Sequence, residues 1–163
     1  MSHAIASATA SNRLEHLRQM VDEIIPQQPD AEQRRCGYVH LYGVSAVCVL
    51  LALQRGLDPE LCAAMGMLHD IWNYKVGPDP DHAHLGLPEA GRILRAAGYS
   101  PTEIEAICTA INHHSDKAST HSEMDELLKD ADVLQHYLYN PALKLHWQND
   151  FRLVRILSEL GLK

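Results

Sequence analysis

Apolar residues in this chain recur at intervals of three and four through one segment after another, and no stretch alternates apolar with polar residues. The first spacing lines up side chains on one face of a helix, whereas a half-buried strand needs a period of two. The core must therefore come from helices packed on helices, so the expected fold is all-α. With 163 residues and no internal repeat or linker-like stretch, a single domain over 1–163 is expected.

Cap signals divide the chain. Ser11 and Asn12 can cap a helix carrying Leu14, Leu17, Val21 and Ile24, which Pro26 ends. Pro29-Asp30-Ala31 restarts a polar turn with Arg34 and Arg35, and Gly37 marks a break before a long helix from Tyr38 to Arg55, closed by Gly56. In that helix His40 falls in line with Val44, Val47 and Leu51, so it points into the core. Asp58-Pro59 opens a short helix ending at His69-Asp70, and the Gly- and Pro-bearing stretch from Asn73 to His84 reads as a loop over its end. Pro88 opens a helix closed by Gly98. Ser100 and Glu103 form a capping box for the next, which carries Ile104, Ile107, Cys108 and Ile111 and ends at Asn112-His113-His114. Ser122 to Asp125 starts another that stops near Asn140-Pro141, and a last helix, roughly Ala142 to Leu160, packs Leu143, Trp147, Phe151 and Val154.

Charge removes some functions. A net charge of -7 gives no attraction for a nucleic acid polymer or an anionic membrane. The longest apolar run, Val44 to Leu53, is too short to span a bilayer, and Met1 to Ser11 does not resemble a signal peptide. Cys36, Cys48, Cys62 and Cys108 form no Cys-x-x-Cys pair, so they read as small core residues. A reduced, cytoplasmic location is the expectation.

The 11 histidines are the unusual part of the composition. His69 shares a helical face with Leu61, Met65, Leu68 and Trp72, where an imidazole beside the Asp70 carboxylate needs a partner. Helices or their ends offer further inward candidates: His40, His84 or His82, His113 or His114, and Asp130 or Asp132. Helical bundles build metal sites from such sets, and imidazole with carboxylate suits Fe, Mn, Co, Ni or Zn. The helical wheel places His114 closer than His113 to the Ile104, Ile107 and Ile111 face, but does not separate Asp130 from Asp132.

The order His40, His69-Asp70, His84, His113/His114, Asp132, with the stretches AAMGMLHDIW, EAICTAINHH and LLKDADVL, resembles the HD-domain superfamily of metal-dependent phosphohydrolases. The resemblance implies an HD helical bundle with the metal site in its interior, a core motif region of about 34–140 and terminal helices packed on it. It favours Asp132, through the Ala-Asp followed by apolar residues. It implies one or two divalent ions per chain held by His40, His69, Asp70, His84, His113 or His114, and Asp132, with His69 and Asp70 also catalytic. Asp70 would bridge the two ions.

The implied activity is hydrolysis of a phosphoester or phosphoanhydride in a small anionic, nucleotide-like substrate. Many relatives carry a Lys shortly after His-Asp; here Trp72 and Asn73 follow, and Lys75 is the candidate for that catalytic role. Lys75, Arg92 and Lys117 are candidate cations at the pocket mouth. Two other readings use the same residues: an HD-type di-iron oxygenase, and a non-catalytic metal- or ligand-binding regulatory module. An oligomer is compatible with the sequence.

Overall fold

The structure, a computed structural model, describes residues 10–142 and 147–162. Among the described residues there are nine α-helical segments, one 3-10 turn and no strand. In chain order they are α1 (Ala10–Ile24), the 3-10 turn Ile25–Gln27, α2 (Ala31–Arg55), α3 (Pro59–Leu68), α4 (Ile71–Lys75), α5 (His82–Leu85), α6 (Leu87–Ala97), α7 (Pro101–His113), α8 (Glu123–Tyr139) and α9 (Trp147–Glu159).

The central element is α2. The Asp30 carboxylate accepts from the Gln33 N–H at 2.8 Å to start it, and Gly56, with φ of 70°, turns the chain out at its end. Its 25 residues are long and apolar enough, by length and composition, to cross a membrane. Half of that apolar window is buried within the fold, and the buried side carries the polar residues His40 and Ser45.

On one side of α2 lies α3, in which every residue from Cys62 to Leu68 is buried. Gly66 permits the close crossing, because a Cβ there would stand 2.9 Å from both the Ser45 Cα and the Cys48 Sγ. Met65, Met67 and Leu68 are wholly buried, each worth roughly 1.5–3 kcal/mol in surface removed from water. Along the other side runs α8, begun by a reciprocal Ser122/Asp125 capping box. Gly43 makes room here, since a Cβ would lie 2.8 Å from the Gln135 side chain. α7 packs on α3 and α8, α1 and α6 close the α3 side, and α9 rests on α8. The site thus forms where α2, the end of α3, the end of α7 and α8 converge.

Several local expectations are corrected. Gly37 does not break the helix; α2 runs unbroken from Ala31, and Gly37 packs against the Tyr74 ring. Ser11 and Asn12 lie inside α1, not before it. The expected loop from Asn73 to His84 is shorter, because α4 continues to Lys75 and α5 begins at His82. In α9 the expected packing residues Phe151 and Val154 are exposed, and Leu153 and Ile156 turn inward. Leu143 and the Trp147 side chain lie outside the described residues.

Candidate metal centre

Three elements bring the four donors of the first set together: His40 from α2, His69 at the C-cap of α3 with Asp70 just after it, and Asp132 from α8. The His40 Nε2 lies 3.1 Å from the His69 Nε2, 3.4 Å from the Asp70 Oδ2 and 3.5 Å from the Asp132 Oδ1. From the His69 Nε2 to the same two oxygens the distances are 3.6 and 3.9 Å. A second set stands on the other side of Asp70. Its Oδ1 is 3.0 Å from the His82 Nε2 and 3.2 Å from the His114 Nε2, and these nitrogens are 3.2 Å apart. Asp70 therefore gives one oxygen to each set.

Which nitrogen carries the proton follows from the far side of each ring. The His69 Nδ1 lies 2.8 Å from the Gly66 carbonyl, the His114 Nδ1 2.7 Å from the Ile111 carbonyl, and the His82 Nδ1 2.7 Å from the Asp79 carbonyl. A carbonyl only accepts, so each Nδ1 donates and each neutral ring presents an Nε2 lone pair inward. His40 is set the same way by Gln135, whose Nε2 donates to the Val39 carbonyl and whose Oε1 faces the His40 Nδ1 at 2.7 Å. Four lone pairs and the oxygens of two carboxylates thus converge with too few protons to share.

That arrangement is the one a cation resolves. The Asp70 Oδ1 is buried and has no hydrogen-bond partner. Donors about 2.0–2.2 Å from one ion at right angles stand roughly 3 Å apart, which matches the shortest separations in both sets. Burial opposes ionisation of Asp70 and Asp132, but the facing imidazoles, with Lys117 beside Asp132, hold both carboxyls well below the usual range. Burial, opposed by Asp70 and Asp132 but aided by the neighbouring His40 and His114 rings, takes the His69 imidazole down to about 4. Burial also pulls on His40, but Asp70 and Asp132 outweigh it and raise its pKa; the Asp70 carboxylate beside His82 raises that of His82. In the metal-free chain the carboxylates therefore draw protons to the rings that a divalent ion would displace.

Of the residues named from sequence, His40, His69, Asp70, His114 and Asp132 are brought together. Two are not. His84 is exposed and joins neither donor set; its place is taken by His82, two residues earlier on the single turn of α5. His113 turns away, with its Nδ1 3.1 Å from the buried Asp125 and its ring stacked on His121 at 4.0 Å. The expected cations also sort out. Lys75 and Arg92 both pair with Glu89, at 3.1 and 2.7 Å, while the Lys117 Nζ lies 2.6 Å from the Asp132 Oδ2.

Gln135 and His136 were missed by sequence reasoning. They lie three and four residues after Asp132, so helical spacing alone could have placed them on its face. Asp130 is no surface charge. It is fully buried, with Arg55, Arg152 and Arg155 nitrogens at 2.7, 2.7 and 2.6 Å.

A family model described as the HD domain matches residues 37–137. The chain is also similar to the Bacillus subtilis protein named "Putative phosphohydrolase YueE", with 27% identity over 117 residues, covering 62% of this chain and 66% of that relative. That coverage is just under two thirds of the relative's length. No solved structure matches the chain significantly.

Proposed function

The chain belongs to the HD-domain family, whose members bind divalent metals, and we propose that it is a metal-dependent phosphohydrolase working from a two-ion site. His40, His69, Asp70 and Asp132 would hold one ion, and Asp70, His82 and His114 the other. The observation that carries this reading is the shared Asp70, whose two oxygens face two separate sets of imidazole nitrogens. Divalent ions at such a site supply the Lewis acidity that polarises a phosphoryl group and acidifies a water.

The chain's own groups fix the geometry. Backbone carbonyls and Gln135 lock the four rings, so no rearrangement is needed when charge develops. Lys117 steadies Asp132 and adds a positive charge beside the site, where an anionic phosphate must approach a chain of net charge -7. The substrate class we propose is a small phosphate-bearing anion of the nucleotide kind; the name of the Bacillus subtilis relative supports the phosphohydrolase part of that reading.

The test strips the full chain with a chelator, reloads it separately with Mn, Fe, Co, Ni or Zn, and measures phosphate release from nucleotides and dinucleoside polyphosphates. Turnover with at least one metal is expected, and Asp70→Ala should lose both turnover and bound metal. No turnover with any metal refutes the hydrolase, and full metal content in Asp70→Ala refutes its ligand role. Dioxygen uptake by the iron-loaded protein, without phosphate release, would move the assignment to the oxygenase.

A further inference from the structure

We propose that His136 is an additional donor to the first ion, making the two halves of the centre chemically unequal; this rests on the metal reading above. The His136 Nε2 lies 3.3 Å from the Asp132 Oδ1, as close as the His40 contacts with Asp70 and Asp132. Its ring centroid stands 4.7 Å from that of His40, slightly closer than the ring pairs inside the two donor sets, at 4.9 and 5.1 Å. Position on α8 explains this. Asp132 and His136 are four residues apart, so both project from one helical face, the spacing that lets two side chains of a helix share an ion.

His40, Asp132 and His136 form a donor group of their own, but they do not make a third site. The His40 Nδ1 is taken by Gln135 and the Asp132 Oδ2 by Lys117. The atoms left free, His40 Nε2 and Asp132 Oδ1, already belong to the first set. His136 can therefore only extend that set, to three imidazole nitrogens and two carboxylate oxygens. The second set has two nitrogens and one oxygen. An ion held by more donors binds more tightly, and one with fewer leaves more positions open to water or substrate. His136 is also half exposed, at 49% of its side chain, so the donor stands at the mouth of the site.

The experiment titrates the full, metal-stripped chain with Co(II), following visible absorption and competing with a chromophoric chelator. Wild type should take two Co(II) per chain with distinct affinities. His136→Ala should weaken the tighter one by about 10- to 100-fold or more, the range for loss of a group supporting a metal ligand, and leave the weaker one unchanged. The Co(II) absorption band of the tight site should change in the variant and return when free imidazole is added. A residue that merely packs against His40 or bonds to Asp132 would not give that spectral change and rescue. Unchanged affinity and spectrum in His136→Ala overturn the assignment of His136 alone; no Co(II) uptake by wild type overturns the metal reading beneath it.

Discussion

Asp130 and Asp132 stand two residues apart on α8, and both are buried, yet the chain treats them in opposite ways. Asp130 is enclosed by Arg55, Arg152 and Arg155, which tie α8 to the end of α2 and to α9. Its charge is answered within the protein. Asp132 faces the lone pairs of His40 and His69, with Lys117 reaching only its outer oxygen. About 200° of helical rotation separates the two, so one serves a clamp and the other a site. A carboxylate satisfied by the protein supports the fold; one left partly unanswered is available to a ligand.

The largest effect that tests this contrast falls on the clamp. Asp130→Asn leaves three guanidinium groups around a neutral amide, two of them largely buried. Removing one partner of a buried ionic group costs about 3–5 kcal/mol, so denaturant unfolding should show that loss while the folded fraction keeps its metal content. A loss under about 1 kcal/mol would sink the idea of a clamp. Asp132→Asn should do the reverse. Because loss of a supporting group costs about 10- to 100-fold in metal affinity, loss of a donor should exceed that, read by chelator competition. Stability of the metal-free chain should fall less than in Asp130→Asn, since one cation, Lys117, loses its partner there against three guanidinium groups around Asp130. Equal stability losses in both variants would erase the distinction.

Acid should separate the regions too. Burial disfavours the Glu126 carboxylate, but Lys129, the His121 backbone and Arg152 hold it down to about 2. A depressed folded pKa gives stability that is full above the unfolded value, near 4.3, and lost as pH falls from there toward 2. Glu126 also meets Arg152 of the clamp, at 2.9 Å, so Glu126→Gln should flatten that acid limb of a stability-versus-pH curve, and an unchanged limb would sink this role for Glu126. The centre should respond at higher pH. His40 and His82 are raised above the ordinary histidine value, about 6.5, so protons compete with metal from above that value downward, and affinity should fall as pH is lowered through it. Affinity that stays constant through it would contradict the donor assignment.

Helical periodicity and caps made the architecture legible: the Ser100/Glu103 box, Asp58-Pro59 and Gly56 act as read. His40, His69, Asp70 and Asp132 were legible because each sits inside a strong apolar pattern or a motif that fixes its direction. The clamp was not, since arginines at positions 55, 152 and 155 reach Asp130 only after distant helices meet. Phe151 and Val154 misled because α9 is apolar on more than one face, and only contact with α8 chooses Leu153 and Ile156. His82 was obscured because a stretch rich in Gly and Pro gives no helical phase from which to project a side chain.

The smallest effect comes from that last ambiguity and repeats the two-residue contrast of α8 at the scale of a single helical turn. On α5 the His82 ring is pinned by the Asp79 carbonyl and aimed at Asp70, whereas His84, also 200° around the turn, meets solvent. His84→Ala should change stability by less than about 0.5 kcal/mol and leave metal stoichiometry at the wild-type value, as expected for an exposed side chain with no buried partner. His82→Ala should drop stoichiometry towards one ion per chain, because Asp70 and His114 alone offer too few donors to retain the second. If elemental analysis instead shows His84→Ala losing an ion and His82→Ala keeping both, the α5 turn is rotated relative to the structure described above, and the second donor set must be rebuilt around His84.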